Sequence, residues 1–272
     1  MQAHDTNNLD TETNTHPKTV LITGGASGIG LGIGEYLAKK GHSIVVADMN
    51  GDAAKQAAEK IAALGVKAYP LVLNVTDTEA IAALPKTLAD MGINGIDVLI
   101  NNAGIQHVSK LEDFPADKWQ LLINVMLVGP ALLTQALLPQ MRSQNFGRII
   151  NVGSIHSIVA SPFKSAYVAA KHGLVGFAKT LALETGDSNI TINNLCPAYV
   201  KTPLVEAQIS AQAIENKMTE AEVVEKIFLE PMPKKSFIEI EELAACAEFL
   251  MSNAAKNMTA QNIVLDGGWT AR

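Results

Sequence analysis

The run Thr19-Val-Leu-Ile-Thr23-Gly-Gly-Ala-Ser-Gly28-Ile-Gly30 sets the frame for the whole chain. An unbroken β-branched and apolar segment enters a glycine-rich turn, and a helical pattern through Glu35 to Lys40 follows. Strand, glycine turn and helix in that order let the backbone approach a ligand closely. They also aim unpaired N–H groups and the positive end of a helix dipole at an anion such as a pyrophosphate. The spacing G-x-x-x-G-x-G departs from G-x-G-x-x-G, because Ile33 stands where the third glycine would fall. Gly24, Ser27, Gly28, Ile29 and Gly30 are the candidate contacts of the turn. Asp48 closes the next β-branched run 18 residues after Gly30, near the spacing of a carboxylate that accepts hydrogen bonds from a ribose diol. Neither Met49-Asn50 nor Ala26-Ser27 supplies a cation for a 2′-phosphate, so Asp48 beside Met49 favours NAD over NADP.

Outward from this unit the alternation continues. Residues 43–48, 68–73, 97–101, 148–152, 191–195 and 262–265 read as further strands, several apolar throughout, with helical patterns between them. Such strands predict a parallel sheet covered on both faces. The expected fold is α/β, a doubly wound parallel seven-stranded sheet of Rossmann type, in one domain spanning 19–272 behind a disordered tail at 1–18. Lys39-Lys40-Gly41 has the form of a helix end and Thr76-Asp-Thr-Glu79 that of a capping box. Residues 203–236 show no strand signal. Thr219-Glu-Ala-Glu222 starts a short helix there and Pro231-Met-Pro233 ends the excursion, which is expected to be a helical lid at the ligand edge of the sheet.

The chain has 272 residues, 48% hydrophobic and 18% charged, a globular composition. A net charge of −6 argues against nucleic acid and anionic membranes as partners and for a small molecule. Two cysteines, Cys196 and Cys246, lie in apolar stretches and cannot build a disulfide framework, which implies a reducing compartment. The polar N-terminal segment has no signal-peptide core, so a cytoplasmic location is expected. Trp119 to Met141 carries no formal charge and could span a bilayer, yet Gln120, Asn124, Gln135, Gln140 and two prolines punctuate it. It reads as a helix buried in the protein or at a subunit contact.

Tyr167-Val-Ala-Ala-Lys171 puts a phenol and an ammonium four residues apart, on one helix face. A nearby positive charge favours phenolate and lowers the pKa from about 10. Such a tyrosine can take a proton from an alcohol as hydride leaves, or return one to a ketone. Ser154, 13 residues earlier and just past a strand, can polarise the same oxygen.

Together these motifs resemble the short-chain dehydrogenases/reductases from Thr19 to Trp269. The pieces fall in that family's order: Thr23-Gly-x-x-x-Gly28-x-Gly30, Asp48, Asn101-Asn-Ala-Gly104, Asn124, Ser154, Tyr167-x-x-x-Lys171, Pro197 and Thr202. The resemblance implies Tyr167 as acid/base and Ser154 as the group that positions the substrate oxygen. Lys171 would lower the tyrosine pKa and hold the nicotinamide ribose, and Asn124 would hold a proton-relaying water. Asn102, Asn74 and Val75 would line the adenosine pocket, with Pro197, Val200 and Thr202 on the nicotinamide side. Asn74 departs from the family's aspartate, and its amide oxygen is expected to accept from the adenine amine. Gly153, Ala198 and Ala260 depart as well without removing a reacting group.

A narrower likeness, to soluble bacterial 3-hydroxybutyrate dehydrogenases, rests on Val152-Gly-Ser-Ile-His156, Lys164-Ser-Ala-Tyr167, Thr202-Pro-Leu-Val-Glu-Ala-Gln208 and Asp266-Gly-Gly-Trp269. It implies that Gln106, His156, Lys164, Gln208 and Trp269 bind a small hydroxy-acid/keto-acid substrate, in a homotetramer with no metal. A lysine with neutral donors suits a short acid whose carboxylate must sit at a set distance from the reacting carbon. The implied activity is NAD-dependent oxidation of (R)-3-hydroxybutyrate to acetoacetate. The alternatives are a 3-oxoacyl-carrier-protein reductase, another secondary-alcohol dehydrogenase and a catalytically silent NAD-binding regulator.

Overall fold

A computed structural model of the chain describes residues 16–271. The expected tail lies outside the described residues up to position 15. At its end the Lys18 backbone N–H donates to His42 Nδ1 at 3.1 Å.

In chain order the elements are β1 (Thr19–Thr23), α1 (Gly28–Lys39), β2 (Ser43–Asp48), α2 (Gly51–Ala62), β3 (Ala68–Val72), α3 (Thr78–Asp90), β4 (Val98–Asn101) and α4 (Ala116–Ile123). They continue with α5 (Gly129–Ser143), β5 (Gly147–Val152), α6 (Ser165–Glu184), β6 (Ile190–Pro197), α7 (Pro203–Asn216), α8 (Glu220–Val223), α9 (Ile240–Met251) and β7 (Asn262–Leu265). The strands form one parallel sheet in the order β3-β2-β1-β4-β5-β6-β7. This is the doubly wound Rossmann-type sheet expected from the sequence. The strand order reverses between β1 and β4, and a crevice opens beyond their carboxyl ends, where ligands bind in such sheets.

The central strands β1 and β4 are apolar through their middles because both faces are covered. Leu21, Val45, Leu99, Ile149 and Ile192 pack with Ile81 and Leu84 of α3 and Leu133 and Leu137 of α5. Their neighbours Val20, Ile22, Ile44, Val46, Val98 and Ile100 pack with Ile33 of α1, Ile61 of α2 and Leu250 of α9. Each fully buried aliphatic side chain contributes about 1.5–3 kcal/mol, so alternate residues of one strand stabilise opposite layers.

Local expectations are met with small changes. β6 runs on to Pro197, which carries the chain to the crevice. Gly41, just past the C-cap of α1, has φ +90°, as a helix-ending glycine does. The capping box expected at Thr76 is not formed. Asp77, one residue later, caps α3 instead, accepting from the Glu79 and Ala80 N–H groups, while Thr76 Oγ1 donates to Asn74 Oδ1. The uncharged stretch is two helices joined by a wide turn at Asn124–Val128. By length and composition Ala116–Ser143 could cross a membrane, and 39% of its most apolar window is buried within the chain. Leu122, Met126, Leu133, Leu137 and Met141 lie in the core, whereas Leu121 and Val128 are exposed.

The excursion at 203–236 is α7, α8 and a wide turn at Val224–Phe228. Thr219 caps α8 as its sequence predicts: its Oγ1 accepts from Glu222 N–H at 3.2 Å while Glu222 Oε2 accepts from Thr219 N–H at 3.0 Å. Phe228 is buried and anchors the segment against Ile209, Ala213 and Val223.

Candidate active site

A cleft of about 420 Å³ lies at the carboxyl ends of the central strands. One end is lined by Gly24, Ser27, Gly28, Ile29, Asp48, Met49, Asn74, Val75 and Asn102. Gly24 has φ +59°, and a Cβ there would lie 3.0 Å from the Ala103 Cα. Asn102 locks the turn to the end of β4, its Nδ2 donating to the carbonyls of Thr23 and Gly24 at 2.9 and 3.0 Å. Ser27, the N-cap of α1, makes no side-chain cap bond, so the first-turn amides are left to a ligand. Asp48 is held beside the turn, accepting from Ala26 N–H at 3.3 Å and Asn50 N–H at 3.0 Å. Donors for a pyrophosphate and a carboxylate for a ribose diol fit a nicotinamide dinucleotide.

Two expected cofactor contacts are altered. Gly30 does not line the cleft; a Cβ there would lie 2.4 Å from the Gly24 carbonyl oxygen and 2.5 Å from Asn102 Nδ2, so this glycine lets the helix close on the turn. The Asn74 oxygen, expected to accept from adenine, already accepts from the Thr76 N–H and hydroxyl at 3.0 and 2.9 Å. An amide oxygen has two lone pairs, so it has none to spare.

In the middle of the cleft stand Ser154, Tyr167 and Lys171. Ser154 follows β5 in a single turn closed reciprocally: its Oγ accepts from His156 N–H, and its own N–H donates to Ser157 Oγ, both at 3.2 Å. Tyr167 and Lys171 lie one turn apart on α6. The buried Lys171 donates to the Val152 carbonyl at 2.6 Å, with its Nζ 5.6 Å from the centre of the Tyr167 ring. Burial pushes Lys171 down to about 8. It pushes the Tyr167 phenol up, opposed by the Ser154 hydroxyl beside it. The lowering of Tyr167 by Lys171 expected from their spacing is thus not what this arrangement produces, because the ammonium is turned onto a carbonyl and desolvation of the phenol prevails.

The far end of the cleft gathers Gln106, His156, Lys164, Gln208 and Trp269, residues scattered over more than half the chain. His156 is buried, with its ring edge-on to Tyr167 at 6.0 Å and to Trp269 at 6.2 Å. Lys164 Nζ lies 3.4 Å from His156 Nε2. Burial, reinforced by the charge of Lys164, pushes His156 down to about 4, leaving a neutral imidazole beside a cation. Among the described ion pairs no carboxylate meets Lys164. A half-buried ammonium with an open partner position suits an anionic ligand.

Pro197, Val200 and Thr202 also line the cleft, and Thr202 caps α7, accepting from Val205 N–H at 3.4 Å. Asn124 does not line it; its oxygen accepts from Gln120 Nε2 at 2.9 Å at the start of the wide turn. Tyr199 went unread in the sequence. Its ring lies tilted between Phe228 of the 203–236 excursion, 4.6 Å away, and Trp269, 5.7 Å away, with Lys164 Nζ 5.9 Å from its centre. An aromatic two residues past Pro197 at a strand's carboxyl end was the available signal. Ser157 was missed too, although S-x-x-S at Ser154 is a capping pattern.

The family model for short chain dehydrogenases matches residues 18–213. A D-beta-hydroxybutyrate dehydrogenase of Rhizobium meliloti (strain 1021) is 43% identical over 94% of this chain and 99% of its own length. A 3-oxoacyl-acyl-carrier-protein reductase of Thermotoga maritima is 33% identical over 92% of this chain and 97% of its own. Among solved structures, a short-chain type dehydrogenase/reductase from Mycobacterium marinum superposes with a TM-score of 0.83 at 30% identity, over 94% of this chain and 96% of that one.

Proposed function

Because this chain belongs to the short-chain dehydrogenase family, a family of nicotinamide-dependent oxidoreductases, we propose that it interconverts (R)-3-hydroxybutyrate and acetoacetate with NAD. The observation that carries the substrate is Lys164. Its ammonium, without a carboxylate partner among the described residues, lies 3.4 Å from a neutral imidazole at the cleft end beyond Tyr167. Asp48 carries the cofactor choice, since a carboxylate there accepts from a ribose diol and repels a 2′-phosphate. The name of the relative from Rhizobium meliloti is consistent with the substrate, and the enantiomer rests on that likeness.

A nicotinamide dinucleotide held by the turn at Gly24, Ser27 and Gly28, by Asp48 and by Val200 and Thr202 would supply the hydride acceptor for C3 of the hydroxy acid. The chain's residues do the rest. Lys164 and His156 hold the carboxylate, with Gln106 and Gln208 adding neutral hydrogen bonds. Ser154 Oγ holds the C3 oxygen. Tyr167 takes the hydroxyl proton during oxidation, for which the Ser154 hydroxyl favours its phenolate against the upward push of burial, and returns it to the carbonyl during reduction, for which that push keeps it protonated. Closure of the segment carrying Gln208 excludes water as the acid is recognised.

A panel of (R)- and (S)-3-hydroxybutyrate, longer hydroxy acids, 2-butanol and acyl thioesters, each run with NAD and NADP, tests this reading. The (R)-acid with NAD is expected to give the highest kcat/KM. An acyl thioester or 2-butanol equal to the acid would overturn the substrate, and equal use of NADP would overturn the cofactor.

The free thiols of Cys196 and Cys246 suit the cytoplasm. The exposed Leu121, Val128 and Leu183 on α4, the wide turn after it and α6 suit two-fold contacts in a homotetramer. Light scattering is expected to give about four times the 28.9 kDa of one chain, and a monomer mass would exclude it.

A further inference from the structure

Phe163 has φ +66°, in the left-handed region. For a bulky side chain this is a genuine outlier, retained only where the surroundings enforce it. Asn145 and Lys217 share the conformation, but they follow α5 and α7 and end them. Phe163 instead precedes α6, and the residue is 51% exposed and belongs to none of the core clusters. Burial therefore does not offset the strain.

Its backbone is pinned. The Phe163 carbonyl accepts from Ser109 N–H at 2.9 Å, which joins the loop after β4 that carries Gln106 to the loop that carries Lys164. The next residue is Lys164, the N-cap of α6, whose carbonyl accepts from Val168 N–H at 2.9 Å. The chain thus reverses at Phe163 between two fixed points, and the side chain that emerges from the reversal is the ammonium beside His156.

We infer that Phe163 is a positioning residue for substrate recognition: its left-handed backbone, clamped by Ser109, aims Lys164 at the carboxylate site, and its phenyl ring is dispensable. The inference rests on the proposed role of Lys164. Glycine adopts positive φ freely and asparagine readily, whereas β-branched residues resist it. The series Phe163→Gly, Phe163→Asn, Phe163→Ile and Phe163→Val therefore separates backbone from ring.

The experiment measures KM for (R)-3-hydroxybutyrate, kcat, and NADH affinity by fluorescence for each variant. Gly and Asn are expected to keep KM within twofold of the parent, while Ile and Val raise it at least fivefold with kcat and NADH affinity little changed. In a Lys164→Ala background, Phe163→Ile is expected to add nothing to KM, the non-additivity of coupled sites. Parent-like KM in both β-branched variants, or equal losses in the Gly and Ile variants, overturns the inference. A parent that turns over 2-butanol as well as the acid overturns the reading beneath it, which distinguishes the two failures.

Discussion

Tyr167→Phe is expected to lower kcat about a thousandfold, within the 10²–10⁴ range of general acid–base catalysis, while NADH binds as it does to the parent. The substitution removes one oxygen and leaves the ring, so the packing of α6 against Leu122 and Met126 persists. Ser154 can still orient the C3 oxygen, but no group remains at that position to exchange its proton. Burial raises the phenol pKa, so the parent begins ketone reduction already protonated. Steady-state rates in both directions with a fluorescence titration of NADH check the result. Activity within tenfold of the parent would remove Tyr167 from the mechanism, and weakened NADH binding would show a structural effect instead.

Lys164→Ala is expected to raise KM for the hydroxy acid at least tenfold, about 1.4 kcal/mol, with a smaller change in kcat and none in NADH affinity. The loss falls on the acid because Lys164 is a cation facing His156, which burial keeps neutral. Burial also lowers the pKa of Lys164. Only the ammonium attracts the carboxylate, so KM of the parent is expected to stay flat at lower pH and to rise as pH increases through that depressed value. Bound carboxylate favours the charged form, so the rise begins at the depressed pKa of the free protein and levels off at the higher pKa of the complex. In Lys164→Ala this alkaline rise in KM should be absent, as a KM profile against pH will show. An unchanged KM, or an alkaline limb that persists, would leave Lys164 as a solvated loop charge.

The fold was legible in the sequence because its signals are local. Apolar runs such as Val20 to Ile22 and Val98 to Ile100 leave no polar face, so each strand must be covered on both sides, and helices between strands can supply that cover only if the strands are parallel. The turn at Gly24 to Gly30 and the Tyr167/Lys171 spacing are likewise properties of a few adjacent residues, and they locate the candidate site. Where the reading failed, a competing local partner won. Asp77 rather than Thr76 caps α3, and the Thr76 N–H and hydroxyl together take the acceptor that Asn74 was expected to offer.

Composition, periodicity and motif spacing are enough to establish an α/β sheet, a nucleotide turn with its carboxylate, and a serine, tyrosine and lysine in order along the chain. They are enough because hydrophobic burial and backbone geometry act over a few residues. The direction of the Tyr167 pKa, the exclusion of Gly30 and Asn124 from the cleft, the Phe228–Tyr199–Trp269 cluster and the strained reversal at Phe163 depend on groups far apart in sequence. Desolvation and charge respond to everything within a few ångströms in space, so these properties came into being only when the chain closed around the cleft.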